Sequence, residues 1–316
     1  MTSVASPVPT VDPRAAAWTD EAAISARSAL VTILGDTVAP LGGTIWLADV
    51  FTLAAPFGFN ERLVRTSMFR LAAVGWVDSE RVGRRSRYSL GPDGRAETAA
   101  AEQRIYRRHD RPWDGSWTLV FLPNTGSTTV DGDIARHLRW RGFARMADGV
   151  HAHPNDDVVD TRELLDRLGI DPAPAVAVAR FDGDGEAPLA GLPFRVDSGL
   201  DEAEAAYQRF VDRYRPIADA IIDEVDEPTP LEAFALRTML VHDLRRARLR
   251  DPDLPTDLLP DGWVGHRAAE VAADLYRRIT EPAWAWVTEA TGLTVEPDRV
   301  AGRFTTHPTA GPTPAR

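Results

Sequence analysis

The stretch from Asn60 to Leu90 restricts the fold more than any other part of the chain. Asn60 is a good helix N-cap, the run ERLVRTSMFRLAAVG after it has helical periodicity, and Gly75 closes it. A turn of about 100° per residue sorts this helix into two faces. Leu63, Val64, Ser67, Met68 and Leu71 fall on one; Arg62, Arg65, Thr66, Phe69 and Arg70 fall on the other. Two strand-like runs follow, WVDSERV and RYSLG, in which Trp76, Val77, Val82, Tyr88 and Leu90 are available to pack. A glycine-led basic turn, GRRS, joins them.

Two further helices precede this unit. ISARSALVTILGDTVA places Ile24, Leu30, Ile33, Leu34 and Val38 at roughly helical spacing and ends at Pro40, Gly42 and Gly43. TIWLADVFTLAAPFG reads as a second, short helix with Thr44 as N-cap and Pro56 to Gly58 as its stop. Three helices and then a two-stranded ribbon is the order of a winged helix-turn-helix. There the third helix enters the major groove and the wing reaches adjacent backbone or minor groove. Arginine pairs with guanine edges or phosphate, and threonine contacts either. The expected DNA-facing residues are therefore Arg62, Arg65, Thr66, Phe69 and Arg70 on the helix, with Arg84, Arg85 and Arg87 in the wing.

Charge supports this placement. The chain has a net charge of −11, yet residues 60–111 hold 12 arginines against 7 acids. A basic segment on an acidic protein is the footprint of a polyanion site. There is no cysteine, which excludes disulfides, thiol nucleophiles and cysteine-ligated zinc. All 36 basic residues are arginine. Without lysine there is no Walker-type phosphate loop, pyridoxal Schiff base or lysine general base. No run of about 18 apolar residues is present, so no membrane span is expected. The small, polar N-terminus lacks the features of a signal peptide, and the cytoplasm is the expected location.

Further along, WTLVFLP reads as a strand, DGDIARHLRWRGF as a helix and ARMADGVHAHP as two strands around Asp148 and Gly149. DTRELLDRLG then reads as a helix and AVAVARF as a strand. This strand, helix, strand, strand, helix, strand order is that of a ferredoxin-like domain. His151 and His153, two apart on a strand, share a face, but a pair without a third ligand is expected at the surface rather than on a metal. Asp156, Asp157 and Asp160 lie in a polar loop, where acids serve as N-caps and solvated charges. No metal or other cofactor is expected.

Residues 201–250 read as two helices. Ala205, Phe210, Tyr214, Ile217 and Ile221 recur along the first, and Leu231, Phe234, Leu236, Leu240 and Leu244 along the second, which begins at Pro230. GHRAAEVAADLYRRI is a final amphipathic helix, and with PAWAWV it offers bulky surface to a dimer partner or an effector. The fold class expected is multidomain α+β. Its parts are a polar tail (1–22), a winged-helix DNA-binding domain (23–110), a ferredoxin-like domain (111–195), a helical domain (196–296) and a flexible tail (297–316).

Three separated segments resemble the PaaX family of transcriptional repressors of bacterial phenylacetic acid degradation. They are ARSALVTILGDTVAPLGGTIWLADVFTLAAPFGFNERLVRTSMFRLAAVGWVDSERVGRRSRYSL, AEQRIYRRHDRPWDGSWTLVFLP and LRDPDLPTDLLPDGWVGHRAAEVAADLYRRI. The resemblance implies a dimeric, non-enzymatic repressor with a Cas2-like central domain, released from operator DNA by an acyl-CoA such as phenylacetyl-CoA. It also implies recognition-helix roles for Asn60, Arg62, Arg65, Thr66 and Arg70, and wing roles for Gly83, Arg84, Arg85 and Ser86. Given an acyl-CoA, His242, Arg245, Arg246 and Trp263, with Leu258 nearby, are the candidate effector residues, since arginine forks hold phosphates. Favourable placement of cations at a helix C-terminus explains the same arginines without a ligand. The competing readings are a metal-dependent nuclease built on the Cas2-like domain and a regulator or activator answering to an unrelated effector.

Overall fold

The computed structural model describes residues 25–106, 113–123, 128–154, 157–180, 199–222, 227–295, 300 and 302–304. The polar N-terminal tail, Asp156 and the stretch from residue 305 onward lie outside them. The protein is mixed α+β, with helices and two small sheets. It divides into two compact units: residues 1–107, 214–243 and 271–316 form one, and 108–213 with 244–270 form the other.

In the first unit, Ser25 accepts a hydrogen bond from the Ser28 amide and starts α1 (Ala26–Ile33). The expected apolar positions Leu30, Ile33, Leu34 and Val38 are buried. Leu34 to Val38 form a wider, π-helical turn that carries Asp36 and Thr37 inward with them. Thr44 does not cap the next helix. Thr44–Trp46 is a strand, β1, and α2 (Leu47–Ala54) starts only after it. The physical reason is strand propensity: two β-branched residues and a tryptophan pair with the chain that returns at residues 87–89.

Helix α3 (Glu61–Ala73) runs into the hairpin β2 (Val77–Val82) and β3 (Arg85–Leu90), giving an antiparallel sheet of order β1-β3-β2. An additional helix, α4 (Pro92–Tyr106), follows. The unit is completed by residues from three long helices, α7 (Leu200–Ile222), α8 (Pro230–Arg248) and α9 (Val264–Thr291). Every residue from Ala233 to His242 of α8 is buried, as suits a helix surrounded on all sides. Phe234 packs against Trp286, with ring centroids 4.6 Å apart, and against Phe57 at 6.1 Å. PAWAWV therefore continues α9 and packs inward: Ala283, Trp284 and Val287 are buried, and the segment is not the open surface expected.

Polar residues on so buried a helix need partners. Arg237 enters one such network. Its Nε donates to Asp36 at 3.0 Å, its Nη2 donates to Thr37 Oγ1 at 3.0 Å, and its guanidinium lies 4.4 Å from the Trp284 ring. Asp36 also accepts from Tyr106 at 2.6 Å, from Tyr276 at 3.2 Å and from Arg303 Nη1 at 2.9 Å. Arg303 Nε reaches Glu102 at 3.2 Å, so a residue of the segment read as a tail is buried at an ion-pair centre. Burial alone would raise the pKa of Asp36, but Arg237, Arg303 and the two tyrosine hydroxyls outweigh it and hold the carboxyl below its ordinary range. Burial, and then the charge on Asp36, push Tyr276 up to about 12.

The second unit contains the strand and helix order read from the sequence: β4 (Ser116–Phe121), α5 (Thr128–Trp140), β5 (Ala144–Ala147), β6 (Val150–His153), α6 (Val158–Leu168) and β7 (Ala175–Arg180). Its antiparallel sheet has the order β5-β6-β4-β7. The core is Val120 with Ile134, Leu138, Phe143 and Leu165. His151 is paired with Val120 across the ladder, so both histidines face this core and are buried rather than at the surface. Burial, with Arg145 and Arg139 nearby, lowers the pKa of His151 to about 4, and the ring is neutral near pH 7. Asp157 caps α6, accepting from the Val159 amide at 2.7 Å, and Asp160 is exposed. Among the described residues no three histidines or acids are grouped to hold a metal. On α7 the buried stripe is Ala203, Ala206, Tyr207 and Phe210 in this unit, while Ala205 faces solvent.

Candidate nucleic-acid interface

Helix α3 begins where Asn60, in extended conformation, turns its side-chain oxygen onto the Leu63 amide at 2.9 Å. That bond satisfies one of the helix's free donors and commits the Asn60 carbonyl to capping. Val64, Ser67, Met68 and Leu71 are buried, which fixes the rotation of the helix. Leu63 is the exception, at 44% exposure. It lies about 90° from the middle of the buried stripe, on its margin rather than within it. The opposite face presents Arg62, Arg65, Thr66, Phe69 and Arg70 to solvent, and all five are exposed.

The side chains of that face are not equally free. Arg65 is held by Glu61, one turn earlier, at 3.3 Å, and its guanidinium lies 4.8 Å from the Phe51 ring of α2. Thr66 donates its hydroxyl to the Arg62 carbonyl at 2.9 Å. Arg62 and Arg70 have no side-chain partner among the described residues. Phe69 is 71% exposed.

The hairpin differs from the expected four-residue turn. Val82 pairs directly with Arg85, so Gly83 and Arg84 alone form the tip. Gly83 has φ +62° and Arg84 a negative φ, the pattern of a type II′ turn, whose twist matches that of the flanking strands. Arg85 and Ser86 therefore belong to β3. The Arg85 guanidinium sits 4.4 Å from the Trp46 ring and that of Arg87 sits 5.9 Å from it. Arg87 is also paired with Glu80 across the hairpin. Burial raises the pKa of Asp49 in α2, with Arg85 opposing the shift. Arg84 is the arginine at the tip.

Trp46 and Phe51 are the residues that sequence reasoning missed. Both serve as ring platforms for arginines, and Trp46 was concealed because its segment read as helix. The Glu61–Arg65 pair, by contrast, was available from i, i+4 spacing.

Of the candidate effector residues, His242 belongs to the first unit, buried with its Nδ1 3.1 Å from Thr32 Oγ1. Arg245, Arg246 and Trp263 belong to the second. Trp263 is buried edge-on against Tyr207 at 5.9 Å, Arg245 is partly buried and Arg246 is exposed. Leu258 is in a short 3-10 turn, Thr256–Leu258.

Three family profiles match the chain in order: "PaaX-like protein" over residues 25–94, "PaaX protein central Cas2-like domain" over 110–189 and "PaaX-like protein C-terminal domain" over 199–289. The transcriptional repressor PaaX of Escherichia coli (strain K12) is 37% identical over 272 residues, covering 84% of each chain. The chain belongs to the PaaX family. Its central part is the Cas2-like domain of that family. Among solved structures, an uncharacterised protein of Mycobacterium tuberculosis, Rv0674, aligns over 85% of this chain and 99% of its own with a TM-score of 0.49 and 20% identity. No described helix is long and apolar enough to cross a membrane.

Proposed function

We propose that this PaaX-family protein is a transcriptional repressor, not an enzyme, that binds double-stranded operator DNA as a homodimer. The observation that carries the reading is the exposed face of α3, where three arginines and a threonine stand clear of the buried stripe in the basic segment of an acidic chain. In this reading residues 23–110 form a winged helix-turn-helix. Helix α3 lies in the major groove, and Arg84 at the hairpin tip reaches neighbouring backbone or minor groove. Residues 111–195 are a connecting Cas2-like domain, and 196–296 are the effector and dimerisation region. Two copies read half-sites about 34–36 Å apart, one helical turn, so a small rotation between them breaks register.

The effector proposed is phenylacetyl-CoA or a related aryl or acyl-CoA, with Arg245, Arg246 and Trp263 of the second unit as the candidate residues. It must favour the dimer geometry that cannot bind DNA, since a ligand with equal affinity for both states shifts nothing. The test is fluorescence-polarisation binding to the gene's own upstream DNA, alone, with phenylacetyl-CoA and with free phenylacetate. Tight, salt-dependent binding relieved by the thioester alone supports both parts. Binding that ignores both compounds keeps the repressor and discards this effector. No specific binding refutes the proposal.

A further inference from the structure

We infer that Phe69 is a specificity-determining residue that reads the 5-methyl group of thymine in the major groove. The inference rests on the DNA-binding reading above. Phe69 is 71% exposed, the most exposed large hydrophobic side chain among the described residues. Nothing in the fold asks for a phenylalanine there, because the stripe that packs α3 is Val64, Ser67, Met68 and Leu71.

Its surroundings identify the partner. At about 100° per residue, Arg62, Arg65 and Thr66 all fall within about 60° of Phe69 on the helix surface. The other exposed large apolar side chains nearby, Leu63 and Val74, lie more than about 100° away around the same axis, and Ala73, one turn on, adds only a methyl to the face. Phe69 is thus a single apolar point set among guanidinium groups, not part of an apolar patch of the kind that docks a protein. Thr66 extends it slightly: its hydroxyl is committed to the Arg62 carbonyl, which leaves the methyl as its other group.

A complementary surface must offer one apolar feature framed by anions. The major groove does this wherever thymine occurs, with the 5-methyl on its floor and phosphates along its rims. Arg62 and Arg70, which have no partner among the described residues, are free to meet the rims or guanine edges while the ring covers the methyl. The site therefore takes duplex DNA with thymine opposite the middle of α3.

The test uses the full-length protein and two versions of its upstream DNA, one normal and one amplified with deoxyuridine in place of thymidine, which lacks only the methyl. Wild-type protein should bind the deoxyuridine fragment more weakly, by about fourfold for each methyl covered. Phe69→Ala should lose the same factor on normal DNA and show no further loss on deoxyuridine DNA, while Phe69→Leu keeps part of the preference. That non-additivity separates direct contact from a change in DNA stiffness, which would weaken wild type and variant alike. Equal binding of both fragments by wild type, or undiminished discrimination by Phe69→Ala, overturns the inference while DNA binding stands. Absence of specific binding to either fragment overturns the underlying reading and the inference with it.

Discussion

Arg237 and Arg303 lie in the same unit as Arg62 and Arg70 and carry the same group, but the two pairs have opposite circumstances. The first pair converges on the Asp36 carboxylate at 3.0 and 2.9 Å in an environment closed to solvent. The second pair projects from α3 into water with no partner among the described residues. Arginine is always charged, so burial forces the first pair to be neutralised within the fold, and exposure leaves the second available to an external anion. Arg65 and Arg85 are intermediate, each exposed and each lying on an aromatic ring. Composition alone therefore says little about what an arginine does here; its depth and its partners decide.

The comparison breaks most severely at Asp36. Asp36→Ala leaves Arg237 buried without a carboxylate and Arg303 with Glu102 alone, and should cost about 3–5 kcal/mol of folding stability, read as a shift in the urea midpoint. A loss under about 1 kcal/mol would mean that the cluster relaxes or admits water. The same group sets a pH dependence. Its folded-state pKa is lowered below 3.8, so its contribution is present above the ordinary carboxylate range and is lost as pH falls below it. The melting temperature of wild type should fall across that acidic window, and that of Asp36→Ala should fall less.

The exposed pair should show the reverse profile. Arg62→Ala and Arg70→Ala should leave thermal stability nearly unchanged and weaken operator binding by about 1–3 kcal/mol if they meet base edges. Arg65→Ala should weaken binding as well and release Glu61. A change under about 0.5 kcal/mol in an operator titration at fixed salt would remove α3 from the interface. Smaller again is Arg84→Ala at the hairpin tip. It should weaken binding uniformly across sequences and lower the slope of log affinity against log salt by about 1. Smallest is Trp46→Ala, which removes the ring beneath Arg85 and should cost about 0.5–1 kcal/mol of stacking, seen as faster hydrogen exchange in β3.

Periodicity made much of this legible. The faces of α3 were readable because four buried residues recur at helical spacing, and only Leu63, on the margin, was misplaced. The alternation in the second unit was readable because its strands are short apolar runs divided by glycine, proline and polar turns. Thr44 to Trp46 was misread because three residues are too few to show a period of two, and their strand state depends on β3 offering an edge. PAWAWV looked like free surface because sequence does not reveal what a tryptophan packs against.

By itself the sequence determined the run of helix and hairpin from Asn60 to Leu90, the strand and helix order of the second unit, the location of the basic segment and the exclusion of cysteine and lysine chemistry. It also carried the segments that place the chain in its family. Only the tertiary structure decided that Asp36 is the centre of a network drawing on residues as distant as Arg303, that Trp46 lies beneath the hairpin arginines Arg85 and Arg87, and that Arg62, Arg70 and Arg84 have no side-chain partner among the described residues. Local spacing encodes which side of a helix is apolar, because burial repeats with the helical period. Pairing between residues 201 or 267 positions apart follows no period and is created only when the chain folds.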